Sequence, residues 1–114
     1  MPRTALTVQN APAAFGAAGT TLTFAAGDVA NGNSFVSTGR EILIARNDDA
    51  SPKTVTVQSI ACSHGRETDA VKQIAAGAYA IFQMFPTDGF QQSDGKVWID
   101  VDDADLKLAV VKYP

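Results

Sequence analysis

The chain has 114 residues, enough for one domain with a core of its own and no need of metal or disulfide. Its charged content is 18%, against a usual value of about 25%, with a net charge of −3 and a pI near 4.8. The Lys and Arg residues are scattered, so neither a nucleic-acid backbone nor an anionic membrane meets a basic patch, and neither is expected as a partner. Low charge leaves two readings of the surface: a partner covers part of it, or Ser, Thr, Asn and Gln keep it wet. Cys62 is the only cysteine, which excludes an intramolecular disulfide. The first twenty residues have no unbroken apolar run, so a secretory signal is not expected, and no stretch is long enough to span a bilayer. Synthesis in a reducing cytoplasm is the expectation.

Residues 1–17 stand apart from a single β domain over 18–114. The first nineteen residues hold six Ala, two Pro and two Gly, with one strand-like piece at 5–9, and read as an N-terminal arm or an edge strand. As an arm, the segment is expected to order only on a partner or a neighbouring subunit. Strands follow at 20–24, around 34–37 with Phe35 inward, and at 41–47, where ILIA is apolar on both faces and predicts a central strand covered on both sides. Asn31-Gly32 marks the clearest turn among them.

Residues 53–60 alternate strictly, Val55 and Val57 in, Thr54, Thr56 and Gln58 out. Residues 61–71 read as a long polar loop. A strand at 78–85 stops at Pro86, turns follow at Asp88-Gly89 and Asp94-Gly95, and strands at 96–102 and 106–113 finish the chain. Ala-Ala-Gly recurs at Gly19, Gly27 and Gly77, each at a strand boundary, where the glycine is expected to supply a positive φ. About eight short strands with regular turns predict an all-β antiparallel sandwich or barrel with Greek-key or jelly-roll-like connections. Leu43, Val55, Val57, Ile81, Val97, Ile99, Leu108 and Val110 are the expected core.

Few residues here do chemistry. Cys62-Ser63-His64 puts a thiol and an imidazole two residues apart, but Cys–His pairs that catalyse come from separate elements, and a loop histidine beside a half-buried cysteine is the better reading. The run Asp100, Asp102, Asp103 and Asp105 lacks the glycine and glutamate of a calcium loop and reads as a solvated turn. Only Glu41 and Glu67 are glutamates, and the aspartates fall in turns, so paired carboxylates for glycoside hydrolysis are not expected. A phosphate-gripping loop needs a helix that the sequence does not offer. No enzyme, no cofactor and no metal site is therefore expected. Trp98 faces outward on its strand, and with Tyr79, Phe85 and Phe90 it forms the candidate interface, with core packing and a sugar-stacking platform as the alternatives.

The order NGNSFVSTGREILIARNDDASPKTVTVQS, then IAAGAYAIFQMFP, then the terminal LKLAVVKYP resembles the small capsid decoration, cement or head-stabilising proteins of tailed bacteriophages. The resemblance spans roughly residues 18–114 and rests on strand grammar. It implies a β-sandwich on the exterior of the virion, bound to the major capsid protein, often as a trimer at local three-fold axes. A carbohydrate- or receptor-binding module, and another virion part such as a head–tail connector or tail protein, are the alternatives.

Overall fold

The computed structural model describes residues 3–10, 21–60, 69–82, 85 and 87–112. The expectations for Thr20, Gly19, Cys62, His64, Glu67, Pro86 and Tyr113 lie outside these residues. The described chain is nearly all strand: β1 (Thr4–Ala5), β2 (Val8–Asn10), β3 (Ala25–Ala26), β4 (Asn33–Val36), β5 (Glu41–Asn47), β6 (Lys53–Val57), β7 (Ala70–Ile74), β8 (Tyr79–Ile81), β9 (Lys96–Val101) and β10 (Leu106–Lys112), with one turn of helix, α1 (Thr87–Phe90). They form two five-stranded sheets. The first runs β1-β4-β9-β6-β7; the second runs β2-β10-β5-β8, with β3 also paired to β10. The architecture is an all-β sandwich.

Alternation explains which residues meet between the sheets. On β5, the odd positions from Glu41 to Asn47 are buried and the even ones half-buried. Val55 and Val57 of β6, Val97, Ile99 and Val101 of β9, and Leu106, Leu108 and Val110 of β10 complete the same inner layer with Phe35. Each such side chain stabilises the fold by about 1.5–3 kcal/mol through burial. Both sheets are mixed, because the N-terminal strands pair in parallel: β1 with β4, and β2 with β10.

Residues 3–10 thus lie on their own chain as edge strands, and an arm ordered only by a neighbour does not describe them. The segment leaves the first sheet at Ala5 and joins the second at Val8, and Leu6 at the crossing is 7% exposed. Arg3 anchors the start. Its guanidinium donates to the carbonyls of Asn33 and Ile99 and pairs with Asp100 Oδ1 at 2.8 Å.

Four expectations need correcting. Ile81 is 75% exposed and not in the core: Ala80 is the inward residue of β8, opposite Ala45, and alternation turns its neighbours out. Strand β8 is three residues long, and Phe82 and Phe85 fill the core margin beyond it. No strand forms over 21–24 of the one expected at 20–24; the pairing begins just beyond, at Ala25–Ala26, antiparallel to β10. The loop expected over 61–71 gives way at Ala70 to β7, a full antiparallel partner of β6.

Gly77 has φ +74, the conformation expected of it. Gly27 serves a different need: a Cβ there would stand 2.6 Å from Val101 Cγ2, so the glycine permits close approach.

Candidate interaction surface

The four aromatics proposed as one interface do not come together. Trp98 is half-buried on the outer face of the first sheet, Tyr79 stands on the outer face of the second, and Phe85, 2% exposed, lies in the core. Phe90 is half-buried, its ring 4.9 Å from that of Phe85. Sequence spacing cannot say which sheet a strand joins, and that assignment separates these rings.

The outer face of the first sheet is polar and internally bonded at its centre, with Val36 of β4 and Val71 of β7, 58% and 62% exposed, to either side. Arg3 stacks 4.8 Å over Trp98, whose indole N–H donates to Asp94 at 3.1 Å. Asp100 takes Arg3 on one oxygen and the Gln58 amide on the other. Thr54 and Thr56 continue the face, and Thr56 lies opposite the exposed Val71 of β7.

The outer face of the second sheet is different. The register sets its residues in rows: Tyr79, Arg46 and Lys107; Ile81, Ile44 and Ala109; Ile42, Val111 and Gln9. Ile81 and Tyr79, 75% and 64% exposed, are the two most exposed large apolar side chains among the described residues. Phe24 packs edge-on to Tyr79 at 6.3 Å, and Arg46 stacks on its ring at 4.7 Å. Arg46 also pairs with Asp48 at 2.8 Å, which keeps its guanidinium charged. The doubly apolar ILIA therefore has only one face in the core. Its other face, Ile42 and Ile44, is half-buried and looks out of the sandwich.

β8 also borders an open groove of about 360 Å³. Val71, Tyr79, Ile81, Phe82 and Phe85 are among its lining. Phe82 N–H donates to Leu43 O and Asn47 N–H to Ala78 O, so the even positions of this edge bond to β5. The main-chain groups of Tyr79 and Ile81 consequently point the other way, along the free edge.

Asp49, Asp103 and Asp105 bring carboxylate oxygens within 4.8 Å of one another, a set that joins only part of the run read from the sequence. The Lys53 ammonium sits 3.4 Å from Asp103 and 3.7 Å from Asp49 and supplies the positive charge there. Hydrogen bonding to Asp103 raises the Lys53 pKa, and the Ser51 hydroxyl and N–H hold Asp49 below the ordinary carboxylate value. Asp100 and Asp102 are engaged elsewhere, by Arg3 and by the Thr54 N–H.

No protein-family model, no curated protein and no solved structure matches the chain.

Proposed function

We propose that this chain is a structural virion protein that binds the outer surface of a tailed-phage capsid and stabilises it by bridging capsomers. The observation that carries the reading is the contrast between the two outer faces. The centre of one is closed by its own hydrogen bonds, with Val36 and Val71 exposed on separate strands, and the other groups the exposed Ile81 and Tyr79 with the half-buried Ile42 and Ile44, as a protein built to lie on another protein would. The strand grammar supports it as well: the segments that resemble decoration proteins coincide with β4 through β6, with β8 and with β10. Binding only to the assembled shell stabilises that shell by mass action, and trimerisation would multiply weak contacts.

The test mixes the purified protein with undecorated capsids of the phage that encodes it. Saturable pelleting and a raised disruption temperature are expected. Failure to bind mature or immature shells, together with micromolar binding to a defined glycan, would transfer the assignment to a sugar-binding module. The sugar reading draws less support from Trp98, because Arg3 already occupies one face of its ring.

A further inference from the structure

We infer that the outer face of the second sheet, centred on Ile44 and Ile81, is the surface that docks on the shell, and that its counterpart is an apolar patch flanked by carboxylates. The inference rests on the capsid-binding reading and adds the face and the chemistry of its partner.

Charge selects the occupant. The outward positions of the second sheet's strands, read from the register, are Ile42, Ile44 and Arg46 on β5, Lys107, Ala109 and Val111 on β10, Tyr79 and Ile81 on β8, Gln9 on β2 and Ala26 on β3. Ala109 is 2% exposed, so the available surface lies on the β8 and β5 side of this face. The charged residues in that set are Arg46 and Lys107, both basic, in a chain whose acidic residues outnumber its basic ones by 12 to 9. Asp48, just beyond β5, pairs with Arg46 at the rim. Glu41 lies on β5 as well, but it is 2% exposed and turned inward.

A second copy is a poor occupant. An isologous contact places the same patch on both partners, and with Asp48 already taken up by Arg46 no carboxylate among the outward strand residues is left to answer Lys107. A different protein whose apolar surface carries aspartates or glutamates satisfies both requirements. It covers the isoleucines and answers the lysine. At the centre of the first sheet's outer face Asp100, Arg3, Gln58 and Asp94 answer one another or Trp98, and its exposed valines, Val36 and Val71, stand on strands separated by β9 and β6 and form no joint apolar patch.

The experiment measures binding to undecorated shells of the encoding phage by pelleting, with five proteins: the natural chain, Ile81→Asp, Lys107→Glu, Lys107→Arg and, on the other sheet, Thr56→Asp. Ile81→Asp is expected to weaken binding about tenfold or more, as at the centre of an interface. Lys107→Glu should weaken it and remove its salt dependence, Lys107→Arg should restore it, and Thr56→Asp should leave it unchanged. Thermal melting checks that each variant folds, and Ile81→Ser replaces the aspartate variant if that one does not.

Shell binding by the natural chain that Ile81→Asp leaves intact overturns the face assignment while the capsid reading stands. An unaffected Lys107→Glu overturns the carboxylate-bearing partner. A dimer or trimer in sedimentation that Ile81→Asp dissolves gives the face to a second copy and overturns the inference. No shell binding by the natural chain overturns the capsid reading and this inference with it.

Discussion

The side-chain amide of Asn47 donates a 2.9 Å hydrogen bond to the carbonyl of Ile74, tying the end of β5 in one sheet to the end of β7 in the other. The same nitrogen donates to Ser51 O at 2.9 Å, and Oδ1 accepts from Asp49 N–H at 2.9 Å. Asn47 is fully buried, so nothing replaces these bonds when they are lost. Asn47→Ala is expected to destabilise the protein by about 2–4 kcal/mol, because buried groups are left unpaired. Asn47→Asp should also lose stability, since a carboxylate cannot donate to Ile74. Urea unfolding of both variants checks this. An Asn47→Asp midpoint equal to that of the natural chain would show that the donated bonds contribute nothing.

Removing residues 1–10 should lower the melting temperature substantially. The deletion takes away Leu6, the two parallel edge strands and the Arg3 bridge to Asp100. Leu6→Ala alone is expected to cost about 2–4 kcal/mol as a large-to-small change in a core. A truncated chain that melts with the full one would restore the free-arm reading.

Ile99 and Ile81 make a matched pair, one fully buried and one 75% exposed. Ile99→Ala should cost about 2–5 kcal/mol, whereas Ile81→Ala should stay within about 0.5 kcal/mol. Equal losses in chemical denaturation would show that β8 is turned over. EDTA should leave the melting point where it is, since Lys53 already supplies a positive charge to Asp49 and Asp103; a large downward shift would instead assign a cation to that turn.

Acid should weaken the fold through Glu41. Burial pushes its carboxyl up, but the Thr38 hydroxyl at 2.6 Å, the Thr38 N–H at 2.8 Å and the Arg40 N–H at 3.2 Å together prevail and hold it below the ordinary value. A carboxyl with a lowered folded pKa takes up its proton more readily when unfolded. Its contribution is therefore complete above the ordinary glutamate pKa and is lost as the pH falls through the folded value. Asp28, lowered chiefly by the Thr4 hydroxyl, adds in the same direction. Glu41→Gln should be less stable at neutral pH and should flatten the acid limb in urea midpoints measured from about pH 7 to pH 3. An unchanged acid limb would remove Glu41 from the account.

Gly27→Ala should be costly because of contact and Gly77→Ala because of backbone. The new methyl at 27 meets Val101 Cγ2 and the Leu106 carbonyl, whereas at 77 it meets open space but carries φ +74. The second change should cost about 1–2 kcal/mol from the left-handed conformation alone. Thermal denaturation separates the two: a compensating Val101→Ala should rescue Gly27→Ala in part and leave Gly77→Ala untouched.

The sequence by itself determined the all-β class and the inner faces of β5, β6, β9 and β10. Leu43, Val55, Val57, Val97, Ile99, Leu108 and Val110 are all buried as the alternation predicts, because period two is a property of the backbone and needs no knowledge of neighbours. The turn at Asn31-Gly32 was legible for the same local reason, Gly32 having φ +77. Strand β7 was not, since at an edge only Ile74 is buried, and Val71, Lys72 and Gln73 keep an exposed, loop-like composition. Only the tertiary structure decided that residues 3–10 close the sandwich, that Ala80 and not Ile81 faces the core, and that Trp98 and Tyr79 lie on opposite faces. It also left Ile42 and Ile44 on an outer surface where the doubly apolar pattern predicts a second covering layer. Those outcomes depend on which strands lie side by side, and pairing between residues far apart in the chain leaves no periodic signal in the sequence.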